Sequence, residues 1–172
     1  VKYLLTGGPI TCFHLADKWV PEAIQSAHEG FSRNPTDVPE EPMSCASEVA
    51  KKMGATDEGM IMVAGFAGGL GLSGNACGAL SAALWMNTLS RVKRHNYKYS
   101  LSDPETDTIL EAFHQATDYE MECCKISGQC FKTVQEHTVF IRAGGCKKLI
   151  DVLAQASLMD PGELPDNREN IH

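Results

Sequence analysis

Asn75-Ala76-Cys77-Gly78-Ala79-Leu80-Ser81-Ala82-Ala83-Leu84-Trp85-Met86-Asn87-Thr88-Leu89-Ser90-Arg91-Val92 carries apolar residues on nearly every side of a 3.6-residue repeat. Such a stretch predicts a central helix surrounded by protein, not a surface helix with one wet face. Its first half is rich in Gly, Ala and Ser, so a neighbouring backbone can approach closely. The fold is decided by what lies around it, and that also reads as helix.

Working outward, Thr56 is placed to cap a helix with Asp57 and Glu58 in its favourable first turn. The apolar run Met60 to Phe66 then leads into Gly68-Gly69-Leu70-Gly71. Cys45 to Met53 reads as a short helix behind the capping residue Ser44, with Cys45, Val49, Ala50 and Met53 along one face. Leu15 to about Phe31 repeats the helical pattern, and Pro21 is tolerated if that helix starts near Lys18. Ser32 to Met43, with Pro35, Pro39 and Pro42, is an extended connection.

On the other side, Ser102-Asp103-Pro104-Glu105 matches a capping box and opens a helix through Ile109, Leu110 and Phe113 to about Tyr119. Cys123 to Gly128 ends a helical stretch. A further helix around Thr133 to Ile141 stops at Gly144-Gly145, and Cys146 to Ala156 is amphipathic through Leu149, Ile150 and Leu153. The sum is an all-α fold, a single compact multi-helix domain over residues 42–157. It is preceded by an N-terminal helix and Pro-rich connection (1–41) and followed by a polar tail (158–172).

Three cysteines stand where helices begin: Cys45 after Ser44, Cys77 two places after Asn75, and Cys146 after Gly144-Gly145. A first helical turn leaves N–H groups without partners and carries partial positive charge, which favours a thiolate. The separations in sequence mean that any common site is assembled by the tertiary fold. Burial on an apolar helix face is the competing account of each one alone, because free cysteine is among the most buried residue types. The shared helix-start placement favours function for the set, whereas Cys124 lacks it.

Seven cysteines in 172 residues are many, yet an odd number cannot all pair within the chain. Metal, cluster or thiol redox chemistry is the better class than a disulfide scaffold. Cys123, Cys124 and Cys130 could exchange disulfides, but there is no Cys-x-x-Cys pair of the thioredoxin type and no haem attachment site. Cys12-Phe13-His14 is isolated, and His137 reads as a surface or helix-end histidine.

Gly69-Leu70-Gly71-Leu72-Ser73-Gly74 satisfies G-x-G-x-x-G. The fingerprint also needs a second strand ending in Asp or Glu about 20 residues on, where this chain has Arg91 to Tyr99. A glycine-rich connection for close helix packing is the better account, and no nucleotide is expected.

Net charge −7 and a pI near 5.3 argue against a general affinity for nucleic acid or anionic lipid. The basic stretch Arg91 to His95 is placed to close a helix. No run reaches the roughly 18 to 20 apolar residues of a membrane span. The cytoplasm is the expected compartment, with export the alternative if a targeting segment preceding Val1 has been removed. A homo-oligomer is compatible with these features.

The order Ser44-Cys45-Ala46, Gly65-Phe66-Ala67-Gly68-Gly69, Cys77-Gly78-Ala79-Leu80-Ser81-Ala82, Cys124-Lys125-Ile126-Ser127-Gly128 and Cys146-Lys147-Lys148-Leu149 resembles the C-GCAxxG-C-C family of redox-active proteins. The resemblance runs from about Pro42 to Ala156. Two positions depart from the motif, Ala76 before Cys77 and Ala82 in place of its closing Gly, and both keep a small residue. The resemblance implies that Cys45, Cys77, Cys124 and Cys146 are the family's four cysteines and serve as ligands. It also implies a redox role, and a related domain in split-Soret cytochromes is associated with an iron–sulfur cluster. An iron–sulfur cluster is the expected cofactor, zinc the alternative metal, and a redox protein the expected partner. A metal-free dithiol–disulfide protein with Cys77 as the attacking thiol is the second reading, and a helical binding or assembly module with buried cysteines the third.

Overall fold

The computed structural model describes residues 7–32, 43–93 and 103–158. They form eight α-helices and a 3₁₀ turn, and no strand occurs among them. In chain order the helices are α1 (Gly8–Ser32), α2 (Cys45–Lys52), α3 (Asp57–Val63), α4 (Gly78–Lys93), α5 (Pro104–Thr117), α6 (Cys123–Ser127), α7 (Val134–Arg142) and α8 (Lys147–Ala156). The 3₁₀ turn Ala64–Phe66 continues α3. The chain divides into two units, residues 1–40 and 41–172.

In the first unit, α1 is longer than the sequence implies and runs through Pro21. Proline removes the N–H that Asp17 would receive, but the position is exposed, where solvent can satisfy that carbonyl. Trp19 is exposed on this helix, as are Ile10, Phe13 and Ile24. The expected connection at 33–42 and the tail beyond Leu158 lie outside the described residues.

The second unit is an all-α domain. Local chemistry sets its helix starts. Ser44 accepts from the Ser47 N–H while Ser47 accepts from the Ser44 N–H, a reciprocal box that begins α2. Thr56 caps α3 and Thr133 caps α7. On α5 the cap is Asp103, one residue later than the capping-box reading, because its carboxylate takes the Glu105 N–H and also receives Arg91. Arg91 reaches Glu105 as well, so the basic end of α4 is tied to the acidic start of α5.

Packing follows side-chain size. Ala46 and Ala50 on α2, and Ala79, Ala82 and Ala83 on α4, are almost fully buried where those two helices meet. Small residues on both faces let the backbones approach. The larger side chains fill the far side: Ile109 and Phe113 on α5 and Leu153 on α8 are fully enclosed, each worth roughly 1.5–3 kcal/mol of apolar burial. Helix α4 is central but not enclosed all round. Trp85 is 46% exposed, with its ring edge-on to Phe66.

Between the 3₁₀ turn and α4 the chain makes a compact loop in which five consecutive residues, Gly68 to Leu72, have positive φ. Its N–H groups turn back on themselves: Leu70 donates to Phe66, Gly71 to Gly65, Leu72 to Ala67 and Gly74 to Gly68. The loop therefore satisfies its own backbone while reversing direction and delivering Cys77 to the start of α4. Gly78 follows, and a Cβ there would collide with the Phe66 carbonyl, so only glycine lets α4 begin against the 3₁₀ turn.

Candidate thiol site

Cys45 is the first residue of α2 and Cys77 immediately precedes α4; they are 4% and 6% exposed. Cys77 accepts at its carbonyl from the N–H and hydroxyl of Ser81, fixing the first turn. Cys146 caps α8 from a left-handed conformation, φ 56°, and is half-buried. Its approach is shaped by Gly145, which lies beneath the ring of Phe140 with no room for a side chain.

The fourth interior thiol is Cys123. It opens α6 and is 8% exposed, and its carbonyl accepts from the Ser127 hydroxyl at 2.7 Å. Glu120 sets this helix start by accepting from the N–H groups of Met121 and Glu122. Thus residues 123–127 begin a helix, where the sequence reads as the end of one. Cys124 is its second residue, and its sulfur is bonded to Cys130. Of the four cysteines expected from the family resemblance, the structure brings Cys45, Cys77 and Cys146 together, with Cys123 beside them; Cys124 stands in the disulfide. Spacing carries a signal for this: Cys123 and Ile126 are three apart on one face of a helix, and Ile126 packs against the core.

All four interior thiols affect one another. Burial pushes Cys45 up to about 12, partly offset by the Gly68 N–H, and Cys77, Cys123 and Cys146 each oppose its ionisation further. Burial pushes Cys146 up to about 11, with Cys77 and Cys123 adding to the effect. Cys77 is raised by burial and by Cys123, despite N–H groups of Leu80 and Ala79 that favour the thiolate. Cys123 is raised by burial against the Ser127 hydrogen bond. Every pair among the four therefore interacts. The start of α4 supplies N–H donors to Cys77 and the loop residue Gly68 supplies one to Cys45, but desolvation outweighs them, so the thiols are held protonated at neutral pH.

Among the described residues no three His, Cys, Asp or Glu side chains are grouped so as to hold a single metal ion. An open cavity of about 300 Å³ lies beside Cys146, lined also by Ile126, Ser127, Phe140 and Lys147. His137 is 2% exposed, not on the surface, and meets Phe131 edge-on. Its place on α7 opposite Ile141, four residues on, explains the burial. Cys12 is exposed on α1.

The Gly69–Gly74 segment packs on this site. A Cβ at Gly69 would come within 2.9 Å of the Cys123 Cβ, and one at Gly74 would overlap the Cys124 sulfur. Its glycines make room for α6.

Fold and site together define an all-helical protein with a buried set of thiols gathered from four separate segments. Residues 43–157 match the family described as "Putative redox-active protein (C_GCAxxG_C_C)", and the chain belongs to that family. No curated protein and no solved structure matches it. No helix among the described residues is long and apolar enough to cross a membrane.

Proposed function

We propose that this chain is a redox protein in which Cys45, Cys77, Cys123 and Cys146 together hold an iron–sulfur cluster. The observation that carries the reading is a set of four interior thiols at the starts of α2, α4, α6 and α8, Cys45, Cys77 and Cys123 buried and Cys146 half-buried, near enough to oppose one another's ionisation. Soft thiolates suit iron and zinc far better than magnesium or calcium. Zinc would draw its ligands about 3.8 Å apart, given Zn–S bonds of about 2.3 Å, and no such single-ion grouping occurs among the described residues. Iron is favoured over zinc by the redox character of the family and by N–H groups at Cys45 and Cys77 that offset the negative charge a cluster carries.

When bound, such a cluster supplies one-electron transfer, tuned by hydrogen bonds to its sulfurs and by exposure. The chain's own part is legible in its donors. N–H groups of Gly68, Ala79 and Leu80 point at the sulfurs of Cys45 and Cys77 and favour their anionic form. The helical shell around them excludes water, and loading must release the protons that burial keeps on the thiols.

The metal-free alternative needs a nucleophilic thiol. Burial of Cys77 works against that role, since the thiol is the poor nucleophile and the thiolate the good one.

Anaerobic purification followed by absorption spectroscopy and analysis for iron, zinc and acid-labile sulfide tests the reading. Iron and sulfide should be present in the wild type, lost in Cys123→Ser and kept in Cys124→Ser. Loss in Cys124→Ser alone would assign the fourth position to Cys124. A folded wild-type protein without metal or sulfide, under anaerobic reconstitution as well, would overturn it in favour of thiol exchange or a purely structural role.

A further inference from the structure

The disulfide Cys124–Cys130 closes a short loop that begins at the residue after Cys123. Cys130 is exposed, so an external thiol can reach its sulfur. The loop that the bond closes contains Ser127, whose hydroxyl donates to the Cys123 carbonyl at 2.7 Å. Two residues of the same loop, Ile126 and Ser127, line the cavity that Cys146 also lines.

The bond is not needed to anchor its two ends. Cys124 is held by its N–H to the Gly74 carbonyl at 3.2 Å, and the residue after Cys130 is Phe131, buried against His137 and Phe140. It spans only six positions, and short loops gain least from closure. What the bond does restrain is the stretch between, where Gly128 ends α6 in a left-handed conformation and Ser127 also donates to the Gln129 carbonyl.

We propose that Cys124–Cys130 is a second redox site, a reducible latch whose opening admits reagents to Cys123 and Cys146. Its reductant is a dithiol. One thiolate of the donor attacks the exposed Cys130 sulfur, forming a mixed disulfide while the Cys124–Cys130 bond breaks and Cys124 leaves as a thiolate. The donor's second thiolate then attacks its own sulfur in that mixed disulfide, forming the donor disulfide and releasing Cys130. Two electrons pass to the protein, and the two protons of the donor end on Cys124 and Cys130. The segment 124–130 then loses its covalent closure and is held by the packing of Ile126 and the hydrogen bonds of Ser127, so Ile126 and Ser127 can shift relative to Cys146.

The latch deepens the four-thiol reading, since it regulates access to that site, but it is tested separately. The full chain as purified is treated with dithiothreitol or left oxidised, desalted, pulsed with iodoacetamide at pH 8 and mapped by peptide mass spectrometry. Amide hydrogen exchange is followed on the same samples. Reduction of Cys124–Cys130 should proceed without loss of helical circular dichroism. It should raise alkylation of Cys123 and Cys146, or amide exchange across residues 124–130, at least tenfold. Cys130→Ser should show the raised rates with no reductant. The latch is overturned if the disulfide resists dithiothreitol until the chain is unfolded, or if neither labelling nor exchange changes on reduction. Should Cys130→Ser fail to fold, the wild-type comparison still decides. Metal and sulfide analysis scores the cluster independently, so either idea can fail while the other stands.

Discussion

Cys124 donates its backbone N–H to the carbonyl of Gly74, and its sulfur occupies the space that a side chain on Gly74 would fill. The loop and α6 are thus fitted backbone to backbone beside the interior thiols, and Gly78 repeats the arrangement against Phe66. Gly78→Ala should cost about 3 kcal/mol or more, because its obstacle is a main-chain carbonyl that cannot turn aside. Gly74→Ala meets both a positive φ of 76° and the sulfur, for about 1–3 kcal/mol. Urea unfolding of the two variants checks this ranking, and a loss below 1 kcal/mol at Gly78 would contradict the packing described.

Stability of the reduced, metal-free protein should fall as pH rises above 9. The folded thiols of Cys45 and Cys146 keep their protons up to about 12 and about 11, against 9.0 for an unconstrained thiol. Above pH 9 the unfolded chain has released protons that the native state still binds, so alkali favours unfolding. Each such thiol contributes a slope of at most about 1.4 kcal/mol per pH unit between those limits. Denaturant midpoints at pH 7.5, 9 and 10.5 should show this decline, and Cys45→Ala should make it shallower.

At the acid end the relevant group is His137, which burial pushes below its usual 6.5. The unfolded chain binds a proton that the native state refuses, so stability should drop as pH falls below about 6.5, again by no more than about 1.4 kcal/mol per unit. His137→Phe removes the titration and keeps an apolar ring against Phe131. Comparing the variant with wild type at pH 7.5 and 5.5 isolates the contribution, and parallel losses in both proteins would assign the acid sensitivity elsewhere.

The features legible in the sequence are those that depend on near neighbours. Ser44 and Thr56 cap the helices expected of them because a cap is chosen by its own side chain and the next three residues. The placing of Cys45, Cys77 and Cys146 at helix starts followed from the same local rule. The facing of α6, with Cys123 buried and Cys124 in the disulfide, did not, since adjacent residues on a helix point about 100° apart and α6 is only five residues long. Its inward face is set by Gly69 and Gly74, fifty residues earlier, whose missing side chains make the space that α6 enters. Thiol acidity was misjudged for a related reason. The Ala79 and Leu80 N–H groups that serve Cys77 are local and visible, while the Gly68 N–H at Cys45 and the desolvation that outweighs both come from segments distant in sequence.

The run Gly68 to Leu72 has one more consequence, which concerns stereochemistry. Leu70 and Leu72 both sit at φ 64°, in the region natural to the mirror-image amino acid, where an L-residue bears about 1–2 kcal/mol of crowding between its Cβ and the next carbonyl. Leu72 is committed, since its side chain lies over Gly68. Leu70 is 47% exposed. At that position a chemically synthesised chain carrying D-leucine would keep the same atoms and lose the crowding, so this is a place where the protein is built against the handedness of its own building blocks.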